Sequence, residues 1–128
     1  MKTIENIIRL IIRRGDFILL CKSKEYGHYF LPGGHVEFGD TLEETIYKEM
    51  DEELGLQKEY IKQIFFKNYF ENTYGEGDKK RQEINFIFEI SIPNDFIVES
   101  KETHIEFEWM PLSEIKNINL LPKNILNI

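Results

Sequence analysis

Residues 48–56, KEMDEELGL, constrain this chain more than any other stretch, because they set three carboxylates, Glu49, Glu52 and Glu53, at spacings of three and four in a helix-forming context. Residues three and four apart on an α-helix are neighbours, so these acids share a sector of roughly a quarter turn and repel one another. They also sit near the helix C-terminus, where the helix dipole disfavours negative charge. Such a cluster costs stability unless a cation compensates it. A hard divalent ion such as Mg²⁺ takes carboxylate oxygens and keeps water and substrate phosphates in its remaining positions. The pattern therefore points to phosphate chemistry on a metal-binding helix face.

The boundaries of that helix are legible. Thr41 with Glu44 three residues on forms a capping box, and Gly55 is a natural stop, which predicts a helix over 41–54. Leu42, Ile46, Met50 and Leu54 recur every four residues as its buried stripe, with the three glutamates at the stripe's edge. Glu43, Glu44 and Asp51 are read as capping, dipole compensation and solvation rather than as ligands.

The stretch from Gly34 to Leu56, GHVEFGDTLEETIYKEMDEELGL, resembles the signature of the Nudix hydrolases, G-x5-E-x7-R-E-U-x-E-E-x-G-U, with U a bulky aliphatic residue. Gly34, Glu49, Met50, Glu52, Glu53, Gly55 and Leu56 fill their positions. Asp40 stands where the family has glutamate and Lys48 where it has arginine, so charge is kept at both. Lysine lacks the planar fork of arginine and would orient Glu49 less firmly, and Asp40 is one methylene shorter. The resemblance implies an α/β/α sandwich, a mixed sheet with one long catalytic helix, and cleavage of a nucleoside diphosphate linked to another group. It implies Glu49, Glu52 and Glu53 as metal ligands together with the Gly33 carbonyl, Lys48 among the catalytic residues, and Gly34 beside the substrate.

Length and charge are consistent with this. A chain of 128 residues with 41% hydrophobic content suits one domain over its whole length, 1–128, with its own core. The net charge of -7 is concentrated: Glu37, Asp40, Glu43, Glu44, Glu49, Asp51, Glu52 and Glu53 fall in one segment opposed only by Lys48. Divalent ions would invert the local field there. No broad basic face for duplex nucleic acid is evident, so the expected partner is a small nucleotide. The single cysteine, Cys21, lies in an apolar run and reads as a core thiol in a reducing, cytoplasmic setting. No apolar stretch approaches the roughly 20 residues that span a bilayer, and the start of the chain lacks a cleavable leader pattern, so no membrane association is expected. Monomer and homodimer are equally compatible with the sequence.

Along the chain, residues 4–13 and 16–22 form a hairpin turning at Arg14 and Gly15, and 28–40 supply a short strand and a shaped glycine loop before the helix. Residues 60–70 and 83–92 read as a second hairpin with a long polar loop, 71–82. Residues 105–110 form a strand, and 111–118 and 120–127 suggest short helices near Pro111 and Pro122. Strands interleaved with one long and one or two short helices fit a mixed sheet between helical layers.

Outside the motif the candidates are more numerous. The general base has three, Glu102, Glu106 and Glu83, and Glu52 or Glu53 would replace it if either activates a metal-bound water. Lys22, and Lys79, Lys80 and Arg81 in the polar loop, are candidates to hold phosphates or a distal group, against the plainer reading of a solubilising surface. Tyr26, Tyr29, Phe66, Tyr69 and Tyr74 offer faces for stacking a base, against the plainer reading of core. His28, His35 and His104 have no metal-ligand spacing and are read as loop or surface residues.

The expected activity is a Mg²⁺-dependent pyrophosphohydrolase, with Mn²⁺ as a substitute ion. Its substrate would be a nucleoside triphosphate, favoured over a nucleotide sugar or a dinucleoside polyphosphate. The alternatives are a Nudix-fold module that senses a nucleotide without turnover, which metal-dependent turnover would exclude, and an acidic interaction helix, which divalent-ion binding would exclude.

Overall fold

The computed structural model describes residues 2–126. Its framework is β1, Ile4–Arg14, in which Ile7, Ile8, Leu10, Ile11 and Ile12 are all buried. A β-branched run buried on both faces belongs in the middle of a sheet. Accordingly β1 runs parallel to β6, Arg81–Ser91, from Ile4↔Gln82 to Ile12↔Ile90. On its other side it pairs antiparallel with β4, Gly33–His35, through Ile7↔His35, Ile8↔Gly34 and Arg9↔Gly33.

The end of β1 turns a corner. Only Arg13↔Ile18 and Arg14↔Phe17 join it to β2, Phe17–Ser23, and the turn falls at Gly15 and Asp16, one residue later than the sequence suggests. Gly15 takes φ 58°, a left-handed conformation that glycine adopts without a Cβ penalty. β2 then pairs along its length with β7, Ile105–Pro111, and with β3, Tyr29–Phe30, which lies parallel to β8, Leu120–Leu121. The sheet is therefore mixed and curled.

The second hairpin is longer than its composition suggests. β5, Lys62–Tyr74, continues its ladder with β6 through Asn72↔Glu83, Thr73↔Gln82 and Tyr74↔Arg81, so the predicted loop over 71–82 shrinks to residues 75–80. The paired polar residues there hide the strand from a hydrophobic-pattern reading. Tyr60, placed in that strand from sequence, instead ends a 3₁₀ turn, Lys58–Tyr60.

α1, Leu42–Leu54, is the one α-helix of the described residues. Thr41 Oγ1 accepts from the Glu44 amide and the Thr41 amide donates to Glu44 Oε1, both at 3.0 Å, completing the capping box. Gly55 closes the other end at φ 68°, donating its N–H to the Asp51 carbonyl at 2.8 Å. Ile46, Met50 and Leu54 pack with Ile8, Leu10, Ile12, Leu19 and Ile90 on one side of the sheet. On the other side Ile11, Ile18, Leu20, Leu31 and Ile87 pack with Ile115 and Ile125.

The second layer is thinner than a helix. Leu112–Asn117 forms a 3₁₀ turn, and the short helix expected over 120–127 is replaced in its described part by β8 and a turn. Leu120 and Leu121 pair with Tyr29 and Phe30, and Pro122 brings no N–H with which to continue a helix. No described helix is long and apolar enough to cross a membrane.

Candidate active site

The last turn of α1 buries a carboxylate. Glu53 is only 6% exposed, and its Oε2 has no hydrogen-bond partner among the described residues. Its carboxyl is pushed up to about 9, first by burial and then by the neighbouring Glu49 and Glu102 carboxylates. Glu49, one helical turn earlier, is half-buried and also held above the usual carboxylate range by burial and by Glu52, partly offset by its hydrogen bond with Glu53, by His35 and by Lys48. Two acids meeting in a desolvated corner share protons or take up a cation.

The glycine loop is shaped around this pair. A Cβ on Gly34 would overlap the Glu49 carboxylate, with Oε2 at 2.6 Å, so the side chain lies flush against a backbone that only glycine leaves open. Gly33 has φ 152°, and a Cβ there would overlap the Ile8 carbonyl across the β1–β4 ladder. The Lys101 amide donates to the Glu53 carbonyl at 2.8 Å, bringing the 100–104 loop beside the acids.

A buried orphan oxygen, a second acid beside it and a glycine cradle fit a hard divalent cation with open positions for water and phosphate. Among the described residues no three acid, histidine or cysteine side chains stand close enough to hold one ion as they are. Glu52 is exposed beside the pair, its charge one of those that raise Glu49, and would complete a three-glutamate set around an ion.

Lys48 is occupied differently from the sequence expectation. Its Nζ lies 2.7 Å from Asp40 Oδ2, and that contact raises the ammonium above its ordinary value. The two residues that depart from the motif are thus partners of each other, the shorter acid meeting the flexible amine.

A cavity of about 820 Å³ opens on the sheet face opposite α1, with Arg9, Glu83, Asn72, Tyr74, Tyr26 and His28 among its lining residues. Its floor is a buried polar network. Arg9 Nε donates to Asn85 Oδ1 at 3.2 Å and Nη1 to the Leu31 carbonyl at 3.0 Å. Asn85 Nδ2 donates to the Phe70 carbonyl at 3.2 Å and to Glu83 Oε1 at 3.3 Å, and Asn72 Nδ2 donates to the same oxygen at 3.2 Å. Burial pulls the Arg9 guanidinium down, against the opposing fields of Glu83, Cys21, Glu53 and Tyr74. Because Arg9 pairs with Gly33 on β4, the floor of this cavity and the glycine cradle share one ladder.

Other sequence candidates scatter. Of the three proposed bases, Glu102 is the one whose charge reaches Glu53. Glu106 is exposed on β7 opposite Lys22, and Glu83 belongs to the cavity floor. Lys22 lies with its Nζ 5.4 Å from the Tyr29 ring, and Tyr29 Oη donates to the Glu108 carboxylate at 3.3 Å. Arg81 is held by Glu5, and neither it nor Lys79 or Lys80 lines the large cavity. Of the five aromatics, Tyr26 and Tyr74 line it, whereas Phe66 and Tyr69 are exposed elsewhere on β5. His28, read from sequence as a loop or surface residue, is half-buried and stacks with Tyr26 in the cavity wall. Cys21 is buried, which pushes its thiol up.

Sequence reasoning missed Arg9, Asn72 and Asn85. The signal for Arg9 was an arginine interrupting the isoleucine run of a strand buried on both faces. For Asn85 it was an amide alternating with apolar residues on a second such strand.

The fold of this chain, a curled mixed sheet with one main helix, recurs in solved structures. The MutT protein of Bacillus halodurans superposes with a TM-score of 0.73 at 21% identity, over 93% of this chain and 76% of that one, a likeness of fold. The chain belongs to the Nudix family: the NUDIX domain model matches residues 5–127. It is similar to the uncharacterized Nudix hydrolase YvcI of Bacillus subtilis, 24% identical over 125 residues, 95% of this chain and 75% of that protein. It is also 29% identical over 123 residues to the nucleoside triphosphatase NudI of Escherichia coli, covering 90% of this chain and 84% of that protein. Nudix hydrolases act on phosphoanhydride bonds and generally use divalent metal ions.

Proposed function

We propose that this chain is a Mg²⁺-dependent pyrophosphohydrolase of a small nucleotide, with a nucleoside triphosphate favoured over a nucleotide sugar or a dinucleoside polyphosphate. Mn²⁺ would substitute for Mg²⁺. The observation that carries the reading is the buried Glu49–Glu53 pair, with the orphan Glu53 Oε2, pressed against Gly34. Similarity to a nucleoside triphosphatase over most of the chain supports the substrate preference.

Glu49, Glu52 and Glu53, with the Gly33 carbonyl, would hold the ion. When bound, a divalent ion supplies charge neutralisation at phosphate oxygens and lowers the pKa of water. The chain's own residues do the rest. Gly34 leaves room for Glu49 and keeps the backbone open to a diphosphate, and Glu102, whose charge reaches Glu53, would accept the proton of the attacking water. The large cavity, sharing the Arg9↔Gly33 ladder, takes the rest of the nucleotide.

Release of phosphate or pyrophosphate from a panel of nucleoside triphosphates, nucleotide sugars and dinucleoside polyphosphates tests this, with Mg²⁺, with Mn²⁺ and with chelator. Turnover of triphosphates that chelator abolishes is expected. A second reading, a module that binds a nucleotide without turnover, draws on Lys48 being engaged by Asp40. Silence across the panel with nucleotide binding intact would replace the first reading by the second.

A further inference from the structure

We propose that Arg9 and Glu83 together read the hydrogen-bonding edge of a nucleobase and so determine which nucleotide the cavity admits. The inference deepens the nucleotide reading above and rests on it. It starts from two opposite charges in one floor that form no ion pair with each other. Arg9 lies opposite Ile87 on β6, four positions along the strand from Glu83. Glu83 is 6% exposed and Asn85, between them, is fully buried.

Their internal hydrogen bonds leave one group of each sign over. Both donors to Glu83, from Asn72 and Asn85, reach Oε1, and Oε2 accepts none among the described residues. Arg9 uses Nε and Nη1, and Nη2 donates to no described residue. Both side chains line the same cavity. Glu53 Oε2 is the one buried side-chain polar atom without a partner among the described residues, so the open positions of Glu83 and Arg9 face the cavity, where water fills them until a ligand takes its place. The fitting ligand offers a donor to Glu83 and, next to it, an acceptor to Arg9.

The edge of a nucleobase alternates donors and acceptors in this way. Tyr74 on β5 and the stacked Tyr26–His28 pair, 6.3 Å apart at 25°, supply flat faces to the same space. A phosphate offers acceptors alone and so has no donor for Glu83. Arg9 pairs with Gly33 on the β1–β4 ladder, so the cavity floor and the glycine cradle lie on neighbouring strands.

The test is calorimetric binding of nucleoside monophosphates to the whole chain without metal, so that neither turnover nor the ion enters. The probes are the four common ribonucleoside monophosphates and purine riboside monophosphate, whose ring carries no exocyclic donor or acceptor. At least one common nucleotide should bind about 10- to 100-fold tighter than the bare purine, the range of a good bidentate base contact. Glu83→Gln, which keeps an acceptor for Asn72 and Asn85, and Arg9→Gln should each collapse that preference. Tyr74→Leu should weaken all purines together and leave the preference standing. Glu83→Asp and Arg9→Lys serve if the first pair melts early. An unchanged preference in folded variants at Arg9 and Glu83, or no wild-type preference over the bare purine, overturns the proposal. Preference present with no triphosphate turnover would instead overturn the hydrolase reading and leave this one intact.

Discussion

The acidic end of α1 and the floor of the large cavity both bury charge, and they do so in opposite ways. At the floor, Arg9 and Glu83 carry opposite signs and are joined through Asn85, so part of their hydrogen-bonding capacity is used within the protein. At the helix end, Glu53 and Glu49 carry the same sign, and the described residues leave Glu53 Oε2 without a partner. The two regions therefore need different things from outside. A like-charged pair needs a cation before it can ionise, whereas a network of opposite charges holds itself in place and keeps its open positions for a ligand.

The largest effect belongs to Glu53→Gln. It should lower metal-dependent turnover by at least about 100-fold, the scale of losing a group that builds a metal site. The same change should raise the metal-free melting temperature by about a few degrees, because a neutral amide suits a desolvated corner better than an acid forced to hold a proton. A variant that loses activity and stability together would show that Glu53 is structural.

Next in size is Asn85→Leu, which removes the acceptor of Arg9 Nε and one donor to Glu83. Leaving such buried groups unpaired costs about 1–3 kcal/mol, readable as a lower denaturation midpoint at unchanged slope. No change would mean the floor is not a cooperative network.

The pH dependence of metal-free stability separates the two regions again. The folded protein holds a proton on Glu53 that the unfolded chain releases above the usual 4.5, so stability present at low pH is lost as pH rises from about 4.5 to about 9. Urea midpoints measured across that window should fall, and Glu53→Gln should flatten the decline. A wild-type curve already flat over the window would place the titration elsewhere.

The smallest effect belongs to the Lys48–Asp40 contact, which is solvent-exposed. Lys48→Arg and Asp40→Glu should each change turnover by less than about threefold, as exposed ion pairs usually do. A larger loss in the single variants that the double variant restores would show that this chain's site is tuned to the lysine–aspartate pair.

The two regions were not equally legible in the sequence. The helix end was almost fully written there: Thr41, Glu44 and Gly55 marked its bounds, and the spacing of Glu49, Glu52 and Glu53 announced a crowded acidic face. Those are local signals, set by positions within one or two turns. The cavity floor was not legible, because it is assembled by pairing strands far apart in sequence: Arg9 meets Asn85 only through the parallel β1–β6 ladder, and Asn85 meets Phe70 only across β5. The curl of the sheet was hidden for the same reason, since β1 changes partners from β4 to β2 along its length. The thin second layer escaped because Leu120 and Leu121 fit a short helix and a short strand equally well by pattern, and only their pairing with β3 decides between them.

The metal centre is tested most simply by the thermal shift produced by Mg²⁺ at about pH 8 in the wild type and in Glu53→Gln, since an ion that binds the folded state alone raises its stability by mass action. Melting temperature should rise with Mg²⁺ concentration in the wild type and stay unchanged in Glu53→Gln. A flat wild-type response, or an equal rise in both proteins, would contradict the claim that the buried acid pair on α1 is the metal centre.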